Sequence, residues 1–119
     1  MFEIKPTMKI ALFDDHQFVI NALSDFLKQK EGVEIVGAAT TKQEILDLLE
    51  RTEVDILISD VLTDEEIGLS LLEEVQKKKF TGKVVVYSSI NSEFVKGFLL
   101  NYGVVAIVHK KEPLEQLWE

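Results

Sequence analysis

Residues 55–60 read Asp-Ile-Leu-Ile-Ser-Asp, a short apolar run that begins and ends with a carboxylate. Three aliphatic residues in succession, with no polar residue between them, predict a strand that is buried on both faces. Such strands are typical of parallel sheets that carry helices on each side. Asp60 follows this strand directly, at the point where the chain leaves the predicted sheet. Asp60 is therefore the first candidate for a functional residue.

Four further apolar runs predict the remaining strands, at residues 9–13, 33–38, 83–87 and 104–108. Between the strands, apolar residues recur at spacings of three and four, which predicts amphipathic helices. Five strands that alternate with five helices predict an α/β fold, a doubly wound five-stranded parallel sheet. The strand order that we expect is 2-1-3-4-5. The last helix has few residues before Glu119 and is predicted to be truncated.

Local patterns add detail to the predicted helices. The first helix is expected to end at Gly32, and the second to begin with a capping box formed by Thr41 and Glu44. Residues 61–67 are expected to form an acidic loop, with Gly68 at a turn or a close approach. The apolar face of the first helix is predicted to consist of Phe18, Val19, Ala22, Leu23, Phe26 and Leu27.

The composition limits the classes of function. A chain of 119 residues with 46% hydrophobic residues fits one globular domain, which we expect at residues 8–119 after an extension at residues 1–7. The chain has no Cys, which excludes disulfides and thiolate nucleophiles and suits the cytoplasm. No apolar run is long enough to span a membrane. The net charge of −8 argues against direct binding of nucleic acid.

Polar residues collect at the carboxyl ends of the predicted strands. Asp14 and Asp15 follow strand one, and Asp60 follows strand three. Ser88 ends strand four, and Lys110 ends strand five. Open parallel sheets bind ligands beyond these ends, where the strand order reverses, and in the order 2-1-3-4-5 that point lies between strands one and three. We therefore expect the three aspartates to converge on one cleft.

Three carboxylates in one cleft repel one another. Two unit charges 4 Å apart cost about 4 kcal/mol at an effective dielectric constant of 20. An all-oxygen cluster with few protein ligands favours Mg²⁺ as the cation that relieves this repulsion. Lys110 can add an ammonium group, and Ser88 a hydroxyl, with Ser89 as the alternative. These groups together suit phosphoryl transfer, in which a carboxylate can itself be the nucleophile.

The chain resembles the receiver domain of two-component response regulators, most closely the regulators that carry a C-terminal helix-turn-helix. The resemblance covers about residues 8–119 and implies a flavodoxin-like receiver fold. Short motifs at the strand ends carry it, namely Phe13-Asp14-Asp15-His16, Asp60 with Gly68 eight positions later, Val84 to Ser89, and Lys110. Each motif alone is common, whereas this order, with each motif at a strand end, is specific.

The resemblance implies that Asp60 is the phosphoacceptor and that a sensor histidine kinase is the donor. Ser88 and Lys110 would contact the phosphoryl group. The chain would then assist its own phosphorylation and dephosphorylation without being an enzyme, and would switch a partner or a transcriptional output domain. The implied ligands of Mg²⁺ are Asp14, Asp15, Asp60 and the backbone carbonyl of Leu62.

The implied partners follow from the same family. A homodimer would form through the face made by helix four, strand five and helix five. DNA would be contacted only through an output domain that is absent from this sequence, and no membrane contact is expected. Aromatic residues that could contribute to a partner surface are Phe94, Phe98, Tyr102 and Trp118.

Three positions depart from the family pattern. The loop after the acceptor usually contains Met-Pro-Gly, and here Thr63-Asp64-Glu65 stands in its place. Ile107 occupies the position in strand five where the family often has Tyr or Phe. After the lysine that ends strand five, the family often has a Pro with a cis peptide bond before it. Here that position holds Lys111, so we expect a trans bond between Lys110 and Lys111. The first two departures favour an alternative, a pseudo-receiver that binds partners without phosphorylation.

Other interpretations are weaker. A haloacid-dehalogenase-type enzyme needs a second Asp two residues after the nucleophile, and that position holds Leu62. A nucleotide-binding enzyme lacks its Gly-rich loop after strand one. His16 is expected to be a partly exposed residue at the start of a helix rather than a metal ligand. His109 is expected to be a surface or interface residue.

Overall fold

The computed structural model describes residues 7–59, 65–78, 80–88 and 104–109, with the backbone alone at residues 65–70, 88 and 109. The described strands are β1 Met8–Phe13, β2 Val33–Ala39, β3 Ile56–Ser59, β4 Lys83–Ser88 and β5 Val104–His109. The described helices are α1 Gln17–Lys28, α2 Lys42–Arg51 and α3 Glu65–Lys77. The fourth and fifth predicted helices, with the predicted partner residues on them, lie outside the described residues.

The five strands form one parallel sheet in the order β2-β1-β3-β4-β5. This result confirms the predicted fold class and strand order. The register between β1 and β2 shifts after Ile10, which pairs with Ile35, whereas Ala11 pairs with Gly37. Val36 is the extra residue of this bulge on the edge strand, and bulges of this kind disrupt the regular edge of a sheet.

Alternate residues of the central strands face opposite sides of the sheet. Helices α2 and α3 cover one face and α1 covers the other, so the sheet is doubly wound. The α2/α3 cluster contains the buried residues Ala11, Phe13, Ala39, Ile45, Leu46, Leu48, Val54, Leu57, Leu71, Leu72, Val75, Val84, Val86 and Val104. The α1 cluster contains the buried residues Ile10, Leu12, Ile20, Leu23, Leu27, Ile58 and Tyr87.

The apolar run of β3 is buried on both faces, as predicted. Leu57 is fully buried in the α2/α3 cluster, and Ile58 is buried in the α1 cluster. Each such side chain contributes about 1.5–3 kcal/mol of stability on burial. At the start of the run, the Asp55 carboxylate accepts a hydrogen bond from the Lys9 N–H (2.8 Å), and its carbonyl accepts one from the Lys83 N–H (2.8 Å). Asp55 therefore joins β3 to both neighbouring strands.

The predicted apolar face of α1 is wrong at two positions. Phe18 is 72% exposed and Ala22 is also exposed, whereas Ile20, Leu23 and Leu27 are buried. A helical residue advances about 100° around the axis, so Phe18 lies about 200° from Ile20 and points away from the sheet. Val19 and Phe26 flank the buried stripe and are partly buried, as the pattern predicted.

Two glycine predictions are also corrected. Helix α1 ends at Lys28, and Gly32 lies in the following turn with φ 79°. Its carbonyl accepts a hydrogen bond from the Met8 N–H (2.7 Å), which ties this turn to the start of β1. The predicted loop is shorter than expected because α3 begins at Glu65, which places Gly68 inside the helix. Glu65 and Glu66 lie in the first turn of α3, where acidic residues interact favourably with the helix dipole. The loop prediction did not take this effect into account.

The capping box of α2 is present. Thr41 is the N-cap, with its side-chain oxygen accepting a hydrogen bond from the Glu44 N–H at 3.3 Å. The Thr41 hydroxyl also donates to the Glu44 carboxylate at 2.9 Å. An ion pair between Lys78 and Glu50 connects the end of α3 to α2. The predicted start of α2 is confirmed.

None of the helices in the described part of the chain combines the length and the apolar character that crossing a bilayer requires.

Candidate functional site

The carboxyl ends of the strands lie along one edge of the sheet. Phe13, the last residue of β1, pairs with Ser59, the last residue of β3. At the other side of the sheet, Ser88 of β4 pairs with His109 of β5. The strands that precede the predicted site residues therefore end together.

Asp14 is the buried member of the acidic pair that follows β1. It is 2% exposed and, together with Ser59, is one of the two polar residues that are buried in the described part of the chain. Its Oδ1 accepts a hydrogen bond from the His16 N–H over 2.9 Å, and its own N–H donates to the Ala39 carbonyl at 3.3 Å. These two hydrogen bonds fix Asp14 between the start of α1 and the end of β2.

Asp15 and His16 lie at the surface beside Asp14. Their side chains are 45% and 52% exposed. The imidazole Nδ1 of His16 lies 2.8 Å from Asp15 Oδ1 and 3.3 Å from Asp14 Oδ1. One ligand atom from each of the three residues lies within 4.8 Å of the other two. Among the described residues, this is the group of side chains with the composition and spacing of a metal site.

The donor atoms of this cluster fit a divalent cation. Two carboxylates supply oxygen ligands, which Mg²⁺ prefers, and the exposure of Asp15 leaves the cluster open to solvent. A cation there would also relieve the repulsion between the two carboxylates. The structure therefore brings together Asp14 and Asp15, two of the predicted metal ligands.

Other predicted site residues lie wholly or partly outside the described residues. Asp60, Leu62, Ser89 and Lys110 lie outside, as does the unusual loop Thr63-Asp64. Ser88 is placed by its backbone at the end of β4.

Two predictions about single residues can be compared directly. His16 is the N-cap of α1 and its side chain is half exposed, which confirms the predicted position and exposure. The other part of that prediction, that His16 is not a metal ligand, stays a prediction. Ile107, which stands where the family often has an aromatic residue, is partly buried and packs against the α2/α3 cluster. A residue packed in this way is part of the core that supports β5.

Sequence patterns missed two features of the site. Ser59 is fully buried, so β3 carries a polar side chain in the interior immediately before the candidate acceptor. His16 contacts both members of the acidic pair through one ring nitrogen. Its place directly after Asp15 was a usable signal, whereas the burial of Ser59 depends on neighbouring strands that local sequence does not reveal.

Comparisons with known proteins agree with this architecture. Residues 10–119 match the family described as "Response regulator receiver domain". The chain is 27% identical over 109 residues to the probable C4-dicarboxylate response regulator DctR of Bacillus subtilis (strain 168), covering 92% of this chain and 48% of the relative. It is 27% identical over 110 residues to the DNA-binding transcriptional activator EvgA of Escherichia coli (strain K12), covering 92% of this chain and 53% of the relative. The chain thus spans about half the length of these curated relatives.

Solved structures show the same fold. The isolated REC domain of RcsB from Salmonella enterica serovar Typhimurium, with phosphomimetic BeF3⁻, superposes with a TM-score of 0.84 at 21% identity, covering 93% of this chain and 83% of that one. The signal receiver domain of the putative response regulator NarL from Mycobacterium tuberculosis gives a TM-score of 0.85 at 17% identity, covering 95% and 91%.

Proposed function

The chain belongs to the response regulator receiver domain family, and we propose that it accepts a phosphoryl group on Asp60 and thereby switches a partner or an output domain. The observation that carries the proposal is the pairing of Phe13 with Ser59 at the ends of β1 and β3. The next residues in the chain are Asp14 and Asp60. Acidic residues that follow paired ends of adjacent parallel strands are suited to one common cleft.

The proposed reaction transfers a phosphoryl group from a phosphohistidine of a sensor histidine kinase. A carboxylate oxygen of Asp60 attacks phosphorus, an O–P bond forms, the N–P bond breaks, and its electron pair returns to the imidazole. Ser88 donates a hydrogen bond to the phosphoryl group, and Lys110 offsets its charge. The residues that would hold Mg²⁺ are Asp14, Asp15, Asp60 and the carbonyl of Leu62. When bound, Mg²⁺ supplies charge neutralisation for the transferring group.

The proposed role is that of a phosphoacceptor that assists its own phosphorylation and dephosphorylation. The phosphorylated and unmodified chains would differ in the populations of two conformations. A transcriptional output is proposed because one relative is described as a DNA-binding transcriptional activator. The net charge of −8 leaves DNA contact to an output domain rather than to this chain. A cytoplasmic location is part of the same proposal.

The output face is proposed to be helix four, β5 and helix five, with a homodimer forming through it. Val105 of β5 supports this choice, since a valine in an edge strand is 56% exposed. An exposed apolar side chain on an edge strand is available to pack against another surface.

A second candidate function is that of a pseudo-receiver. Ile107 favours it, because the family often couples phosphorylation to the output face through an aromatic ring at this position, and Ile107 has none. The Ile107 side chain packs against the α2/α3 cluster. The segment Thr63-Asp64-Glu65 also places more negative charge after the acceptor than the usual Met-Pro-Gly. A pseudo-receiver would keep the fold and bind its partner regardless of phosphate.

Chemical shifts with and without fluoroberyllate separate the two functions. In millimolar Mg²⁺, the wild type should show shifts at backbone amides of β5 when the phosphoryl mimic is added, and Asp60→Asn should show none. Asp64→Asn is the matched control, because it removes a neighbouring charge and should retain the shifts. If the wild type does not respond, the pseudo-receiver is the correct function.

A further inference from the structure

His16 places a nitrogen donor within the acidic pair. Its Nδ1 lies 2.8 Å from Asp15 Oδ1 and 3.3 Å from Asp14 Oδ1. Metal–ligand bonds of about 2.1 Å separate neighbouring ligand atoms by about 3.0 Å in an octahedron and about 3.4 Å in a tetrahedron. Both observed distances are close to these values. The ligand atoms of all three residues lie within 4.8 Å of one another, so a single ion could bind them after adjustment of the side chains.

We propose that His16 is a third protein ligand of this site and that it gives the site affinity for divalent transition metals such as Mn²⁺, Co²⁺ and Zn²⁺. The proposal rests on the proposed function, because it shares Asp14 and Asp15 with the Mg²⁺ site. Imidazole is a good ligand for these metals, whereas Mg²⁺ prefers oxygen. Mg²⁺ would use the carboxylates without His16, and a transition metal would use all three side chains.

The hydrogen bonds of His16 are compatible with this role. Carboxylates accept hydrogen bonds, so Nδ1 of His16 is the donor in its contacts with Asp14 and Asp15. A bound metal ion would take the place of the hydrogen on Nδ1, and the coordinated ring would carry its hydrogen on Nε2. The half-exposed side chains of Asp15 and His16 provide a path for the ion from solvent.

Two further contacts orient the His16 ring. The His16 N–H donates to Asp14 Oδ1 (2.9 Å), which fixes the backbone that carries the ring. Phe18 packs edge-on against the imidazole, with 5.9 Å between ring centroids and 66° between ring planes. Phe18 is 72% exposed and contributes little to the core. Its contact with the His16 ring is therefore a local one at the surface.

The test measures the affinities of the full chain for Co²⁺ and for Mg²⁺. Oxygen-only sites also prefer Co²⁺ over Mg²⁺, so the ratio of the two affinities is the informative quantity. His16→Ala should lower the Co²⁺/Mg²⁺ affinity ratio at least tenfold, with the Mg²⁺ affinity changed less than twofold. His109→Ala is the matched control, because it removes the other of the two histidines and should leave the ratio unchanged. The visible absorption of bound Co²⁺ should change in His16→Ala alone.

Each outcome has a distinct meaning. An unchanged ratio and an unchanged Co²⁺ spectrum in His16→Ala would show that His16 is not a ligand, while the proposed function would stand. Absence of Mg²⁺ binding to the wild type would overturn the proposed site itself. A folded His16→Gln variant, verified by its circular dichroism spectrum, replaces His16→Ala if the alanine variant does not fold.

Discussion

The His16 N–H donates to Asp14 Oδ1 over 2.9 Å, so the buried carboxylate of the site and the first turn of α1 form one structural unit. Asp14 is 2% exposed, whereas the Asp15 side chain beside it is 45% exposed. The two adjacent aspartates therefore have different structural roles. Asp14 contributes to folding as well as to the candidate site, whereas Asp15 contacts His16 at the surface and is open to solvent for binding.

Replacing these aspartates should separate the two roles. Both replacements relieve the repulsion between the two carboxylates, and only Asp14→Ala also removes the acceptor of the partly buried His16 N–H. The free energy of unfolding of Asp14→Ala should therefore be about 1–3 kcal/mol lower than that of Asp15→Ala. Urea unfolding followed by circular dichroism measures both values. Equal losses in the two variants would contradict this division.

The N-cap of α2 provides a local test of the fold. Thr41→Ala should destabilise the chain by about 1 kcal/mol, because the Glu44 N–H loses its side-chain acceptor. Thr41→Ser keeps a hydroxyl and should remain close to the wild type in the same urea titration. A Thr41→Ser variant as unstable as Thr41→Ala would mean that the hydroxyl does not stabilise α2.

Gly82 permits the close approach of the chain before β4 to the start of β3. A Cβ atom at position 82 would lie 2.7 Å from the Val54 carbonyl oxygen and 2.8 Å from that of Asp55. Gly82→Ala should therefore lower the free energy of unfolding by about 1–3 kcal/mol through forced backbone shifts. Thr81→Ala, at an exposed neighbour, should change it by less than about 0.5 kcal/mol. A neutral Gly82→Ala in thermal or urea unfolding would disprove the steric conflict.

Lys110 is proposed to couple phosphorylation to the output face. Lys110→Ala should keep the fold and accept phosphate more slowly, and its β5 amides should no longer shift with the phosphoryl mimic. Lys111→Ala is the matched control, since it removes a neighbouring lysine and should behave as the wild type does. Normal shifts in Lys110→Ala would assign the coupling to another residue.

The sequence predicted the layers of this fold because strand and helix periods are local properties. The run from Ile56 to Ile58 has no polar residue, and both faces of β3 are buried, as expected. The errors arise where tertiary context decides. Phe18 fits a helical apolar pattern, yet the rotation of α1 against the sheet leaves it exposed.

The candidate site could be predicted only in part. Residue types and strand ends indicated Asp14 and Asp15, and the structure brings them together. The contact of His16 with both carboxylates depends on the backbone turn that precedes α1, which residue types alone do not specify. The burial of Ser59 depends in the same way on the strands beside β3, with Phe13 on one side and Val86 on the other.

The most direct test of the central claim is the intact mass of the chain after incubation with acetyl phosphate and Mg²⁺. The wild type should gain the mass of one phosphoryl group, and the gain should be absent in Asp60→Asn and without Mg²⁺. Asp64→Asn should gain the same mass as the wild type. An unmodified wild type, or an equal gain in Asp60→Asn, would contradict the assignment of Asp60 as the phosphoacceptor.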